Sequence, residues 1–144
     1  MILDAYAVLA LLKGEPAATV VRELLASQPL PALTAIGVAE VLDHLVRIEG
    51  ATDEDAALDL AQLGLSTPTP VDEAIATRAG LLRARHYHRR TRAVSLADCA
   101  AAEVTRAAAS ALVTADPHLL DLCYEEAIAT VVLPDSGGRT WSRT

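Results

Sequence analysis

The chain has no phenylalanine, one tryptophan and three tyrosines among its 144 residues. Its core must therefore rest on Leu, Val, Ile and close Ala contacts. Abundant alanine raises helix propensity throughout and blurs helix ends. Cysteine is limited to Cys99 and Cys123, far apart and without a metal-ligand spacing. They read as buried, reduced, small hydrophobes. His44, His86, His88 and His118 make no zinc spacing either. No glycine-rich phosphate loop and no nucleophile elbow is present, which counts against an NTPase and an α/β-hydrolase. The longest apolar stretch near the start, Ala5 to Leu12, is too short to span a bilayer. No basic region precedes it, so no secretion signal is expected. These absences point to a soluble, cytoplasmic protein.

What is present is 52% apolar residue content, enough for a compact domain. The net charge of −7 argues against a general nucleic-acid binder. Carboxylates that hold divalent cations would inflate that figure. Along the chain, short β-like runs alternate with longer helical ones. Strands are expected at Met1–Leu3, Ala32–Thr34, Ser66–Pro70, Ala111–Thr114 and Ala129–Leu133. The second is weak, and the third is weakened by its prolines. Helices are expected at Ala5–Lys13, from Glu15–Pro16 to about Gln28, and at Ala35–Glu49 ending at Gly50. Others run from the Thr52/Asp55 capping pair to about Leu63, and from Thr69–Pro70 to about His86. The last two run from Ser95 to about Ala109 and from Asp116–Pro117 to about Tyr124. Alternating strands and helices imply an α/β fold with a parallel sheet and helices on both faces. No linker divides the chain. Residues 1–134 read as one domain and 135–144 as a polar tail.

Three acids occupy related positions. Asp4 follows the first strand, Asp116 follows the Ala-Leu-Val-Thr strand, and Asp98 lies in the first turn of the helix feeding that strand. In open α/β sheets, ligands bind beyond the carboxyl ends of strands. Clustered carboxylates repel one another unless a cation joins them. Mg²⁺ takes such oxygen ligands and keeps several waters. Held by shared acids, such ions activate water and stabilise both charges in phosphodiester cleavage. Taken alone, each acid reads more readily as a helix cap: Asp4 before the first helix, Ser95/Asp98 at capping-box spacing, Asp116 before Pro117. Glu40 shares a polar helical stripe with Gly37, His44 and Arg47, which by periodicity is a solvated face.

The ordered segments resemble those of the PIN-domain family. Met1–Leu12 followed by Glu15–Pro16 resembles the family's opening. Ala39–Leu42 is similar to its second acidic motif, Ser95–Asp98 with Ala100–Ala102 to its third, and Leu112–Asp116 to its fourth. The resemblance runs from Met1 to about Leu133. It implies a three-layer α/β/α fold with a five-stranded parallel sheet in the order 3-2-1-4-5. It implies Mg²⁺ or Mn²⁺ held by Asp4, Glu40, Asp98 and Asp116, with Thr114 in support. The size and opening look most like VapC toxins of type II toxin–antitoxin modules. That likeness implies an endoribonuclease that acts as a homodimer and is neutralised by a VapB-type antitoxin. A non-toxin RNA-processing nuclease or a silent binding module of the same fold is the alternative. One departure is Tyr6, where many relatives carry a small hydroxyl residue.

A basic segment completes the reading. Arg78, Arg83, Arg85, Arg89, Arg90 and Arg92 lie close together, with no Asp or Glu between Ala74 and Ala97. Arg83, Arg85, Arg89, Arg90 and Arg92 are the candidates for RNA backbone contact, and Tyr87 for base stacking. The same run reads equally as a solvated helix end. A haloacid-dehalogenase-like phosphatase would need a second Asp where Tyr6 stands. A response-regulator receiver would need a late lysine, and the only lysine is Lys13.

Overall fold

The computed structural model describes residues 1–143. Three strands, β1 (Ile2–Leu3), β2 (Ala111–Thr114) and β3 (Ala129–Val132), form a parallel sheet in the order β1-β2-β3. Ile2 pairs with Leu112, Leu3 with Val113, and Val113 with Val131. Successive side chains of a strand point to opposite faces, and this register splits the core in two. Ile2 and Leu112 pack with Ile75, Leu82, Leu119 and Leu122 on one face. Leu3 and Val113 pack with Val8, Val21, Val41 and Leu45 on the other. The result is an α/β architecture with helices on both faces of a parallel sheet, as expected.

The helices are α1 (Ala5–Lys13), α2 (Ala18–Leu25), α3 (Ala35–Asp43), α4 (Asp53–Ala61), α5 (Glu73–His86), α6 (Leu96–Ala107) and α7 (Pro117–Glu125). With no Phe available, close approach is achieved by small residues. Ala7 and Ala10 of α1 and Ala102 of α6 are fully buried. Cys99 and Cys123 are buried and unpaired, in line with the reading of them as small hydrophobes. No helix among the described residues is long and apolar enough to cross a membrane.

Several boundaries differ from expectation. Glu15–Ala17 form a turn, with the Ala18 N–H donating to the Glu15 carbonyl at 2.9 Å, so α2 starts at Ala18. The helix expected at Ala35–Glu49 changes winding midway, becoming one π-helical turn at His44–Ile48. The expected second and third strands are reduced to isolated bridges, two on the second and one on the third. Ala32 pairs parallel with Ile2, and Thr69 pairs parallel with Thr34. Prolines 31, 68 and 70 flank those bridge residues and offer no N–H to extend a ladder. Thr69 is held by Leu33 and Ala35, so α5 starts later, capped by Asp72. After β3, Pro134 and Thr140 form an antiparallel bridge, and the Asp135 carboxylate accepts from the Gly137 and Arg139 N–H groups at 2.9 Å each.

Candidate active site

The sheet brings the ends of β1 and β2 side by side. The Asp4 N–H donates to the Val113 carbonyl at 3.0 Å, fixing Asp4 against β2. Thr114, fully buried at the end of β2, ties the two acids together. Its hydroxyl donates to Asp4 Oδ2 at 2.6 Å and accepts the Asp116 N–H at 3.0 Å. Asp4 caps α1, accepting the Tyr6 N–H through Oδ1 at 3.4 Å. Asp116 caps α7, accepting the His118 and Leu119 N–H groups through Oδ1 at 2.8 and 3.1 Å. Asp98 completes a capping box on α6: its Oδ2 accepts the Ser95 N–H at 2.7 Å, and its own N–H donates to Ser95 Oγ at 3.0 Å. Capping and site formation thus use the same residues. The cap places each carboxylate at a helix start, where the helix dipole favours negative charge. An open cleft of about 300 Å³ is lined by Asp4, Tyr6, Asp98, Asp116, Asp135 and Ser136.

Charge crowding is visible in the acids. Burial raises the Asp4 pKa to about 6, aided by repulsion from Asp98 and Asp116 and opposed by the Thr114 and Tyr6 hydrogen bonds. Glu40 on α3 is pushed up to about 7, first by loss of solvent around its carboxylate and then by repulsion from Asp4 and Asp98. Glu40 is exposed as a residue. It does not line the cleft, yet it lies within range of the charge of the two aspartates, which its helical stripe did not reveal. Asp98 is also raised by burial, with Ser95 opposing.

Among the described residues, no three Asp, Glu, His or Cys side chains converge closely enough to enclose an ion. The donor set nevertheless suits a hard cation. It is all oxygen, and the Asp98 and Asp116 carboxylates each keep one oxygen outside the capping hydrogen bonds. Mg²⁺ retains several waters and seldom sits in an all-protein cage, so an open set of acids fits it better than a closed one would.

The Tyr6 hydroxyl donates to the Pro134 carbonyl at 3.0 Å, pinning the start of the C-terminal segment over the cleft. Asp135 and Ser136 are lining residues that sequence reasoning missed. A signal was available: Asp135 follows β3 much as Asp4 follows β1 and Asp116 follows β2.

The basic segment is more engaged than its sequence suggests. Arg83 donates to the Val94 carbonyl at 2.9 Å and lies over the Tyr87 ring. Arg92 grips Glu125 through two bonds of 2.6 and 2.8 Å. Arg85 lies 3.7 Å from Glu126, and Arg78 lies 3.5 Å from Glu103. Among the described residues, the Arg89 and Arg90 side chains alone in this run make no hydrogen bond and no ion pair.

An α/β sheet with acids gathered at its strand ends defines a class of fold and site. The chain belongs to the PIN-domain family, whose model matches residues 1–123. PIN domains are generally nucleases. No curated protein matches the chain in sequence. Among solved structures it is similar to a chain of VapBC2 from Rickettsia felis, crystallised on a promoter DNA fragment. The two are 17% identical with a TM-score of 0.67, covering 90% of this chain and 96% of that one. It is also similar to a chain of FitAcB from Neisseria gonorrhoeae, at 18% identity and a TM-score of 0.66, covering 90% and 94%. A chain of a toxin–antitoxin complex from Klebsiella pneumoniae matches at 18% identity and a TM-score of 0.59, covering 80% and 85%.

Proposed function

We propose that the chain is a metal-dependent endoribonuclease and the toxin of a toxin–antitoxin module, working in the cytoplasm. The observation that carries this reading is the gathering of Asp4, Asp98 and Asp116 at one cleft, with Glu40 close enough to feel the charge of Asp4 and Asp98. Asp4, Glu40, Asp98 and Asp116 are the residues that would hold Mg²⁺ or Mn²⁺. Such an ion, when bound, activates water and stabilises the charge that develops as a phosphodiester breaks. The chain's own part is positioning. Thr114 fixes the Asp4 carboxylate, Ser95 fixes Asp98, and the first turn of α7 fixes Asp116. Tyr6 acts indirectly, by holding Pro134 and the cleft rim.

The toxin role rests on likeness to proteins crystallised as toxin–antitoxin complexes. It brings with it a VapB-type antitoxin and a homodimer. We read the Ala32 and Thr69 bridges as remnants of the second and third strands in the order 3-2-1-4-5. We also take residues 1–134 as the catalytic domain, with 135–144 a tail whose first residues serve the cleft. The alternative is a non-toxin RNA-processing nuclease or a catalytically silent binding module of the same fold.

Purified protein with Mg²⁺ or Mn²⁺ should cut RNA, and Asp4→Asn or Asp98→Asn should reduce cutting to background with the fold retained by circular dichroism. Equal cutting by the variants would sink the mechanism, and no cutting by the parent would favour the silent module. Growth arrest on expression, relieved by an adjacent small reading frame, tests the toxin role.

A further inference from the structure

Residues 87–92 form a small finger that the catalytic reading leaves unused. His88 and Arg92 close it, exchanging backbone hydrogen bonds of 2.9 and 3.0 Å. The His88 ring caps the turn from inside, Nδ1 accepting the Arg90 and Thr91 N–H groups at 3.3 Å each. At its root the finger touches the end of α5, with Arg83 over the Tyr87 ring and Arg92 Nη1 2.8 Å from His86 Nδ1, and two further ties go to α7. At its base, the Arg92 guanidinium grips Glu125 in the last turn of α7. Near its tip, the Thr91 carbonyl lies 3.1 Å from Nδ1 of His118, in the first turn of α7. A carbonyl can only accept, so that nitrogen carries the proton. The helix that holds the finger at both ends is also the helix that Asp116 caps at the cleft.

Arg89 and Arg90 project from this finger. Both are exposed, and among the described residues neither side chain has an acidic partner, whereas Arg78, Arg83, Arg85, Arg92 and Arg106 are all engaged. On a chain of net charge −7, two adjacent unengaged guanidiniums on a pinned turn suit a phosphate backbone. A tip held in place before binding loses less freedom when the ligand arrives. Resting on the ribonuclease reading, we propose that His118 is a positioning residue that latches this finger to the rim of the acid cleft. Arg89 and Arg90 then meet RNA phosphates in register with the acids. In the sequence His118 is only one of four histidines without a zinc spacing. Its partner Thr91 lies in a loop far away in the chain, where no local pattern could announce it.

The test is a mutant cycle on cleavage of single-stranded RNA. Equilibrium binding to the non-cleaving Asp4→Asn background is measured in parallel. His118→Ala should raise KM and Kd by about two- to tenfold, the scale of one hydrogen bond, while kcat holds. His118→Asn, whose amide N–H₂ can replace Nδ1–H, should restore both. Arg89→Ala with Arg90→Ala should weaken binding and reduce its salt slope by about 0.7 per lost contact. In that double background, adding His118→Ala should change nothing further, because the latch then holds a tip with no cations. The proposal is overturned if His118→Ala leaves KM and Kd unmoved, lowers kcat instead, is not rescued by Asn, or adds its full effect in the double background. In those cases the parent's acid-dependent cleavage leaves the ribonuclease reading standing. A parent that neither binds nor cuts RNA removes both.

Discussion

Thr114 is the side chain on which the cleft's geometry turns. Its hydroxyl is fully buried, donates to Asp4 and accepts from the Asp116 backbone, so one group serves both strand ends. Thr114→Val keeps the shape and deletes the hydroxyl, leaving the part-buried Asp116 N–H and an Asp4 carboxylate oxygen each short of a partner. Urea denaturation should show a loss of about 1–3 kcal/mol, the usual cost of such orphaned groups. Thr114→Ser should recover most of it, and cleavage should follow the same order. An unchanged urea midpoint for Val would mean that the bridge holds nothing. At this scale the sequence was partly legible. Asp4 and Asp116 are marked by standing just past buried strands, a pattern that needs no tertiary knowledge. Glu40 is not marked, because helical periodicity tells which face is polar and not what lies opposite that face. Thr114 stood out by resemblance alone, since a threonine at a strand end is common.

Among the elements, α6 shows how one local device serves two ends. Ser95 and Asp98 exchange hydrogen bonds at its first turn, and the same exchange anchors Asp98 at the cleft. Ser95→Ala should cost about 1 kcal/mol of stability, the typical value of a lost N-cap, readable by thermal denaturation. It keeps the Ser95 N–H that donates to the Asp98 carboxylate but removes the hydroxyl, which also favours the ionised form and completes the box that orients Asp98. RNA cleavage should therefore fall further than the loss of stability alone explains. A fall no greater than that of an equally destabilising core variant, such as Val104→Ala, would detach the cap from the site. The box was legible because its spacing is fixed by helix geometry. The outer strands were less so: the runs at residues 32–34 and 66–70 were located, but Pro31 before the first and Pro68 and Pro70 within the second left isolated bridges rather than ladders. The basic segment was read as an unopposed charge block. The acids that engage it, Glu103, Glu125 and Glu126, lie on α6 and at the end of α7 and meet it only once α5, α6 and α7 pack together.

For the whole molecule, the consequence of gathering the acids is a stability that depends on pH and on cations together. Asp4 titrates at about 6 in the folded chain against 3.8 ordinarily, and Glu40 at about 7 against 4.5. Between those ordinary values and the folded ones, the folded chain holds more protons than the unfolded chain does. Stability must then fall as pH rises through this window, and the loss is complete once both groups ionise above about 7. A bound cation reverses the trend, because it stabilises the folded state by mass action and needs ionised carboxylates to do so. In EDTA, the contribution of these two groups should lower the melting temperature as pH rises from about 4 to about 7. Millimolar Mn²⁺ or Mg²⁺ should raise the melting temperature clearly at pH of about 8 and little at about 5, where protons compete for the same oxygens. Asp4→Asn should flatten the pH trend and shrink the cation shift in one step, since it removes one titrating group and one ligand. Background charges elsewhere titrate in both proteins alike, so the difference between parent and variant isolates the cleft. A difference that does not vary with pH, or a cation shift equal at both pH values, would mean that the acids at the strand ends act as caps and nothing more.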